Sequence, residues 1–137
     1  PIQIGESRAM GADAVLIILA MLDDVVAKRL MEEAAHLGMD ALVETHTEDE
    51  VRRAIALGST FIGINNRDLH TFNTSLETFH NLAGLIPNNA TLIAESGVFT
   101  PDHIRELSRS GAQGFLIGES LMRQDDVEAA TRKLTGL

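Results

Sequence analysis

Short apolar runs alternate with longer amphipathic stretches from residue 12 to the end of the chain, and this alternation predicts repeated β-α units. The strand candidates are 14–20, 41–44, 61–64, 91–94 and 114–117. Each is apolar at successive positions rather than at alternate ones, as parallel strands covered on both faces must be. Successive strands start about 20 to 30 residues apart, enough for a right-handed parallel crossover in each unit.

The stretches between them carry helix signals. Thr47 with Glu50, Thr74 with Glu77 and Asp125 with Glu128 have capping-box spacing, and Thr100 precedes Pro101 at a first-turn position. Leu30, Ala34 and Leu37, then Val51, Ala54 and Ile55, then Val127, Ala130 and Leu134 repeat at spacings that lay one face on a sheet. Gly38, Gly58 and Gly111 follow such patterns, where left-handed caps are wanted. Gln3 to Met10 reads as a further helix without a preceding strand.

The expected fold is therefore α/β, one domain over 1–137 with five parallel strands. Eight such units and about 250 residues close a (β/α)₈ TIM barrel. A five-stranded open sheet of flavodoxin type is complete at this length, and periodicity alone leaves both architectures open.

With 45% hydrophobic residues, the chain can bury one sizeable core. Its longest apolar run, Ala12 to Leu22 with Asp13 inside, is too short for a membrane span, and no signal peptide is expected. The absence of cysteine excludes disulfides, thiolate chemistry and Cys-ligated zinc, and suits a cytoplasmic protein. Twenty acidic against eleven basic side chains give a net charge of −9, with no basic run to track a nucleic acid. A small anionic ligand has to be held by local features such as backbone amides, because the overall field repels it.

In parallel α/β folds the residues after each strand gather at one rim, where ligands bind. Here the second strand ends in Glu44-Thr45-His46, the third in Asn65-Asn66-Arg67-Asp68, the fourth in Glu95-Ser96-Gly97 and the fifth in Gly118-Glu119-Ser120. The first runs on to Met21-Leu22, an apolar wall suited to an aromatic ligand. Glu44 and Glu95 are candidate acid, base or stabilising carboxylates, since burial at a rim raises a carboxyl pKa; each alone could equally anchor a loop. Asn65 can orient a carboxylate or build a turn. Arg67 can pair with a ligand carboxylate, with Asp68 or with a neighbouring loop. Gly97 and Gly118 let the backbone approach a phosphate, and a helix beginning after Gly118 would add its amides; a single such glycine would be read as an ordinary turn.

Other chemistries find no support. His46, His70, His80 and His103 fall on different elements and His36 lies inside a helix, so a metal site is not expected. Ser96 lacks a nucleophile elbow, and no dinucleotide or Walker fingerprint follows any strand, so no cofactor is expected.

Five segments resemble the indole-3-glycerol-phosphate synthase family: Gly11 to Ile18, Ala41 to Glu44, Ile62 to Leu69, Ile93 to Gly97 and Phe115 to Met122. The block Ile-Gly-Ile-Asn-Asn-Arg-Asp-Leu is the most specific, and the last two segments recur in related phosphate-binding barrels. The resemblance implies that the five strands are the fourth to eighth of a barrel. It implies ring closure, with loss of carbon dioxide and water, of a carboxyphenylamino-deoxyribulose 5-phosphate. Glu44 is implied as a catalytic carboxylate, Asn65 as its companion, and Glu95 at the reacting end of the sugar. Ser96, Gly97, Gly118, Glu119 and Ser120 are implied around the phosphate.

The family's first three strands, with its catalytic lysines, have no counterpart here; the chain has only Lys28 and Lys133, both in helical patterns. Negligible activity is therefore expected of this chain alone. An open barrel half leaves two strand edges, which predicts a homo-oligomer, a complementing N-terminal half or a rearranged open sheet. The alternatives are another phosphate-binding barrel enzyme, such as a phosphoribosylanthranilate isomerase relative, and a non-catalytic module that binds a phosphorylated ligand.

Overall fold

Five parallel strands pair strictly in the order in which they occur along the chain. The computed structural model describes residues 2–69 and 71–136, so His70 lies outside the described residues. The elements are α1 (Ile2–Ala9), β1 (Ala14–Ile18), a short 3₁₀ turn (Leu19–Met21), α2 (Asp24–His36), β2 (Asp40–Thr45), α3 (Glu48–Ala56) and β3 (Phe61–Asn65). They continue with α4 (Glu77–Ala83), β4 (Thr91–Glu95), α5 (Pro101–Arg109), β5 (Gly114–Leu116), α6 (Glu119–Met122) and α7 (Val127–Thr135).

Strand order separates the two architectures that periodicity leaves open. A flavodoxin-type sheet is doubly wound, with its first crossover reversed and helices on both faces. In sequential order every right-handed crossover lays its helix on the same side, as in a barrel wall. Burial agrees. Ile17, Val43, Ile62, Ile64, Leu92 and Ala94 pack into clusters with Ala27 of α2, Val51 and Ala54 of α3, Phe79 and Leu82 of α4, and Leu107 of α5. Leu16, Ile18, Leu42, Ile93 and Leu116 alternate with them and fall outside these clusters, on the concave face. At the two outer strands that face is open, with Leu16 43% and Leu116 46% exposed.

Local chemistry explains where elements start and stop. Thr47 and Thr100 cap α3 and α5, accepting from Glu50 N–H and His103 N–H. Asp126, not Asp125, caps α7. Thr74 does not cap α4: it bridges to Arg67, and Ser75 Oγ accepts from Glu77 N–H instead. β1 stops at Ile18 rather than residue 20 because Arg53 draws the chain into the 3₁₀ turn, donating to Leu19 O and Leu22 O and pairing with Asp24. Met21 is consequently exposed on that turn.

Candidate active site

The strand register brings the rim residues into two rows on the concave face. Ile18, Glu44, Gly63, Ile93 and Gly114 are successive ladder partners in one, and Asn65, Glu95 and Leu116 in the next. The centre of these rows is polar and buried: Glu44, Asn65 and Glu95 are each less than a tenth exposed.

Asn65 Nδ2 donates to Glu44 Oε1 at 2.9 Å, and Arg67 N–H donates back to Asn65 Oδ1 at 2.9 Å. The backbone donor fixes which way the amide faces, so its NH₂ group is presented to Glu44. Glu95 leans towards Glu44 within hydrogen-bonding reach. Burial above all, and then the neighbouring Glu44 carboxylate, pushes the Glu95 carboxyl from its ordinary 4.5 up to about 8. At neutral pH Glu95 thus keeps its proton. Its Oε1 is buried and finds no hydrogen-bond partner among the described residues.

A cleft of ≈ 60 Å³ adjoins this cluster, lined by Arg67, the Ser96–Phe99 turn and the segment from Leu116 to Ser120. Ser96 and Gly97 both hold left-handed backbone, with φ of 59° and 74°. At Gly97 a Cβ would stand 2.8 Å from Thr74 Cγ2 and 3.2 Å from Leu76 Cδ2, so both conformation and space call for glycine. At Gly118 φ is −120° and a Cβ would meet nothing within 4 Å, so this backbone is bare towards open space. α6 begins immediately after it. Ser120 Oγ donates to Val98 O at 2.9 Å and ties the two walls together. Arg67 is paired with Glu119, which also holds Arg123. The Arg67 hydrogen bond, opposed by desolvation and helped by the Arg123 and Arg67 charges, keeps the Glu119 carboxyl below its ordinary range.

The sequence motifs thus converge, except that Arg67 meets Glu119 and Thr74 at the rim and Glu119 turns its carboxylate to arginines. Three contributors are not singled out by the sequence reading. Asn66 is fully buried; it donates to Ser96 O at 3.1 Å and accepts from Phe79 N–H at 3.2 Å, while its own N–H donates to Glu95 O at 2.8 Å. Gly63 lies directly beneath Glu95. His46 donates from Nδ1 to Asn65 O at 2.7 Å and faces Asp68 across 3.6 Å. A buried asparagine next to a strand end and a glycine inside a central strand are the signals that mark the first two.

The remaining histidines bind other elements: His80 bridges Ser110 and Glu106, and His103 adjoins Gly97 O. No cluster of three or more His, Asp or Glu suited to a metal occurs among the described residues. No helix there is long and apolar enough to cross a membrane.

Residues 1–134 match the family model of indole-3-glycerol phosphate synthase. The chain belongs to that family. Among curated indole-3-glycerol phosphate synthases, it is 50% identical to that of Roseiflexus castenholzii over 99% of this chain and 51% of the relative. It is 47% identical to that of Azospirillum brasilense over 98% of this chain and 51% of the relative. The chain therefore spans about half the length of the synthases it matches. Among solved structures, thiamine phosphate pyrophosphorylase from Pyrococcus furiosus superposes with a TM-score of 0.73 at 19% identity, covering 97% of this chain and 62% of that one. At that identity the likeness is one of fold alone, and it agrees with the barrel-type strand order.

Proposed function

We propose that the chain supplies the fourth to eighth strands of an indole-3-glycerol phosphate synthase barrel. In this reading it carries the acid-base centre and one wall of the phosphate site. The observation that carries the reading is the buried Glu44–Asn65–Glu95 cluster, which sets a carboxyl that burial keeps protonated beside a second glutamate next to an anion-sized cleft.

In the proposed reaction the anthranilate ring carbon attacks the sugar ketone carbon, carbon dioxide leaves from the ring carboxylate, and the former ketone oxygen departs as water. A neutral Glu95 can give a proton to the departing oxygen, and the Glu44 carboxylate can stabilise the positive charge that ring attack places on the nitrogen as an iminium, or remove a proton. Asn65 holds Glu44 in place without neutralising it. The amides at Gly97, Gly118, Glu119 and Ser120 surround the position proposed for the phosphate, and Arg67 adds a cation once it leaves Glu119.

Alone, the chain is proposed to be almost inactive. Lys28 lies on α2 and donates to Leu57 O, and Lys133 lines a groove beside α7, so neither reaches the cluster. The open edges of β1 and β5, with Leu16 and Leu116 exposed, favour a complementing N-terminal barrel half or a second copy as partner. The cytoplasm is the proposed location, in keeping with a cysteine-free chain.

The test is an assay for indole-3-glycerol phosphate formation by the chain alone and mixed with a polypeptide carrying three complementing strands, with Glu44→Gln as control. Turnover only in the mixture, lost in the control, supports the proposal. A mixture that assembles but stays inactive overturns it, and phosphate binding without turnover would then favour the non-catalytic module.

A further inference from the structure

We propose that Gly63 is a positioning residue whose bare Cα seats the Glu95 carboxyl and so allows it to reach Glu44. Glu44 and Glu95 do not stand on neighbouring strands. β3 runs between β2 and β4, so their backbones are two ladder steps apart, roughly 9–10 Å. They also sit in different rows, because Glu44 pairs with Gly63 while Glu95 pairs with Asn65. Glu95 therefore crosses β3 diagonally, and the position it crosses is Gly63.

A Cβ built at Gly63 would stand 1.8 Å from Glu95 Oε1, 2.8 Å from Cδ and 3.4 Å from Cγ. All three of these nearest atoms belong to one side chain. Backbone conformation gives no reason for glycine, since Gly63 is not among the positive-φ residues and lies inside a regular ladder. Glycine in a central strand weakens it and marks a close approach; here the approaching group is a carboxyl whose Oε1 is buried without a hydrogen-bond partner among the described residues. Alanine would push that carboxyl outward, away from Glu44.

The functional part of this inference rests on the pair being the acid-base centre, whereas its geometric part does not. The first measurement is a double-mutant cycle of Gly63→Ala and Glu95→Ala in the full chain, read by denaturant unfolding. The expected result is that Gly63→Ala destabilises the wild type and loses most of that effect in the Glu95→Ala background. Equal losses in both backgrounds would overturn the proposal. If Gly63→Ala alone does not fold, folding of the double variant supports the proposal, and its failure where Glu95→Ala folds overturns it.

The second measurement is carbon-13 NMR titration of the glutamate side chains. Glu44→Gln should move the Glu95 titration in the wild type and leave it unmoved beside Gly63→Ala. Persistence of that coupling in Gly63→Ala would also overturn the assignment. In the completed barrel, Gly63→Ala should lower kcat roughly tenfold or more with little change in KM. If the barrel makes no indole-3-glycerol phosphate at all, the synthase reading fails while the cycle and the titration still decide the role of Gly63.

Discussion

Asn65 and Glu44 meet diagonally across the β2–β3 ladder, Glu44 pairing with Gly63 one row away, with Nδ2 of the amide 2.9 Å from Oε1 of the carboxylate. A neutral donor there orients Glu44 and leaves its charge intact. Asn65→Ala, which removes a preorganised donor, is expected to lower kcat of the completed barrel by ~10²-fold. Asn65→Asp should be at least as damaging, because it places a third carboxyl in a buried cluster. Steady-state kinetics of both variants check this, and retention of near-normal kcat by Asn65→Asp would count against the arrangement.

Glu95 gives the fold a pH dependence of defined sign. Its carboxyl ionises near 4.5 in the unfolded chain and at about 8 in the native one, so between those values the folded state binds the proton more strongly. Its contribution to stability is full below pH 4.5, declines as pH rises and is lost beyond about 8. Glu95→Gln, which cannot ionise, should therefore gain stability over the wild type as pH rises from 4.5 to about 8, the window set by those two values. Urea unfolding across that range measures the difference, and a constant difference would refute the assignment.

Glycines on the two walls of the cleft should respond differently. Gly97→Ala forces a side chain into left-handed backbone against Thr74 and should cost ~1–3 kcal/mol. Gly118→Ala meets open space and should leave stability nearly unchanged while weakening binding of inorganic phosphate. Thermal unfolding and phosphate titration of the two variants separate fold from ligand.

Glu119 competes with an incoming anion for Arg67. Glu119→Gln should tighten binding of inorganic phosphate roughly two- to fivefold at low ionic strength, with less effect at high salt. Arg67→Met should weaken it. Titration at two salt concentrations checks both.

Asn66 ties three segments together from a fully buried position. Asn66→Ala leaves Phe79 N–H and Ser96 O without this partner and should cost ~1–3 kcal/mol. In the completed barrel it should raise KM more than it lowers kcat, because the turn it braces lines the cleft.

Strand positions and the rim residues were legible because a buried parallel strand writes an unbroken apolar run and its polar end falls straight after it. The choice between barrel wall and doubly wound sheet was not, since both use the same β-α period and differ only in which neighbour each strand joins. Cap positions slipped where alternatives adjoin, as with Asp125 and Asp126, or where Thr74 found Arg67 instead. Arg53 ended β1 through carbonyls 31 and 34 residues away, a contact no local window contains. Gly63 likewise looks like any strand glycine until the register shows what passes over it.

The anion cleft hangs on the shortest strand of the sheet. β5 is held by β4 alone through three residue pairs, whereas β2 and β3 are each paired on both sides, and the loops leaving β4 and β5 are the two walls. Local opening starts where the fewest hydrogen bonds must break, so β5 and α6 should exchange their amide protons before the strands that carry Glu44 and Asn65. An anion gripped by both walls would slow that exchange, making the occupied cleft itself the latch that keeps the last strand in place.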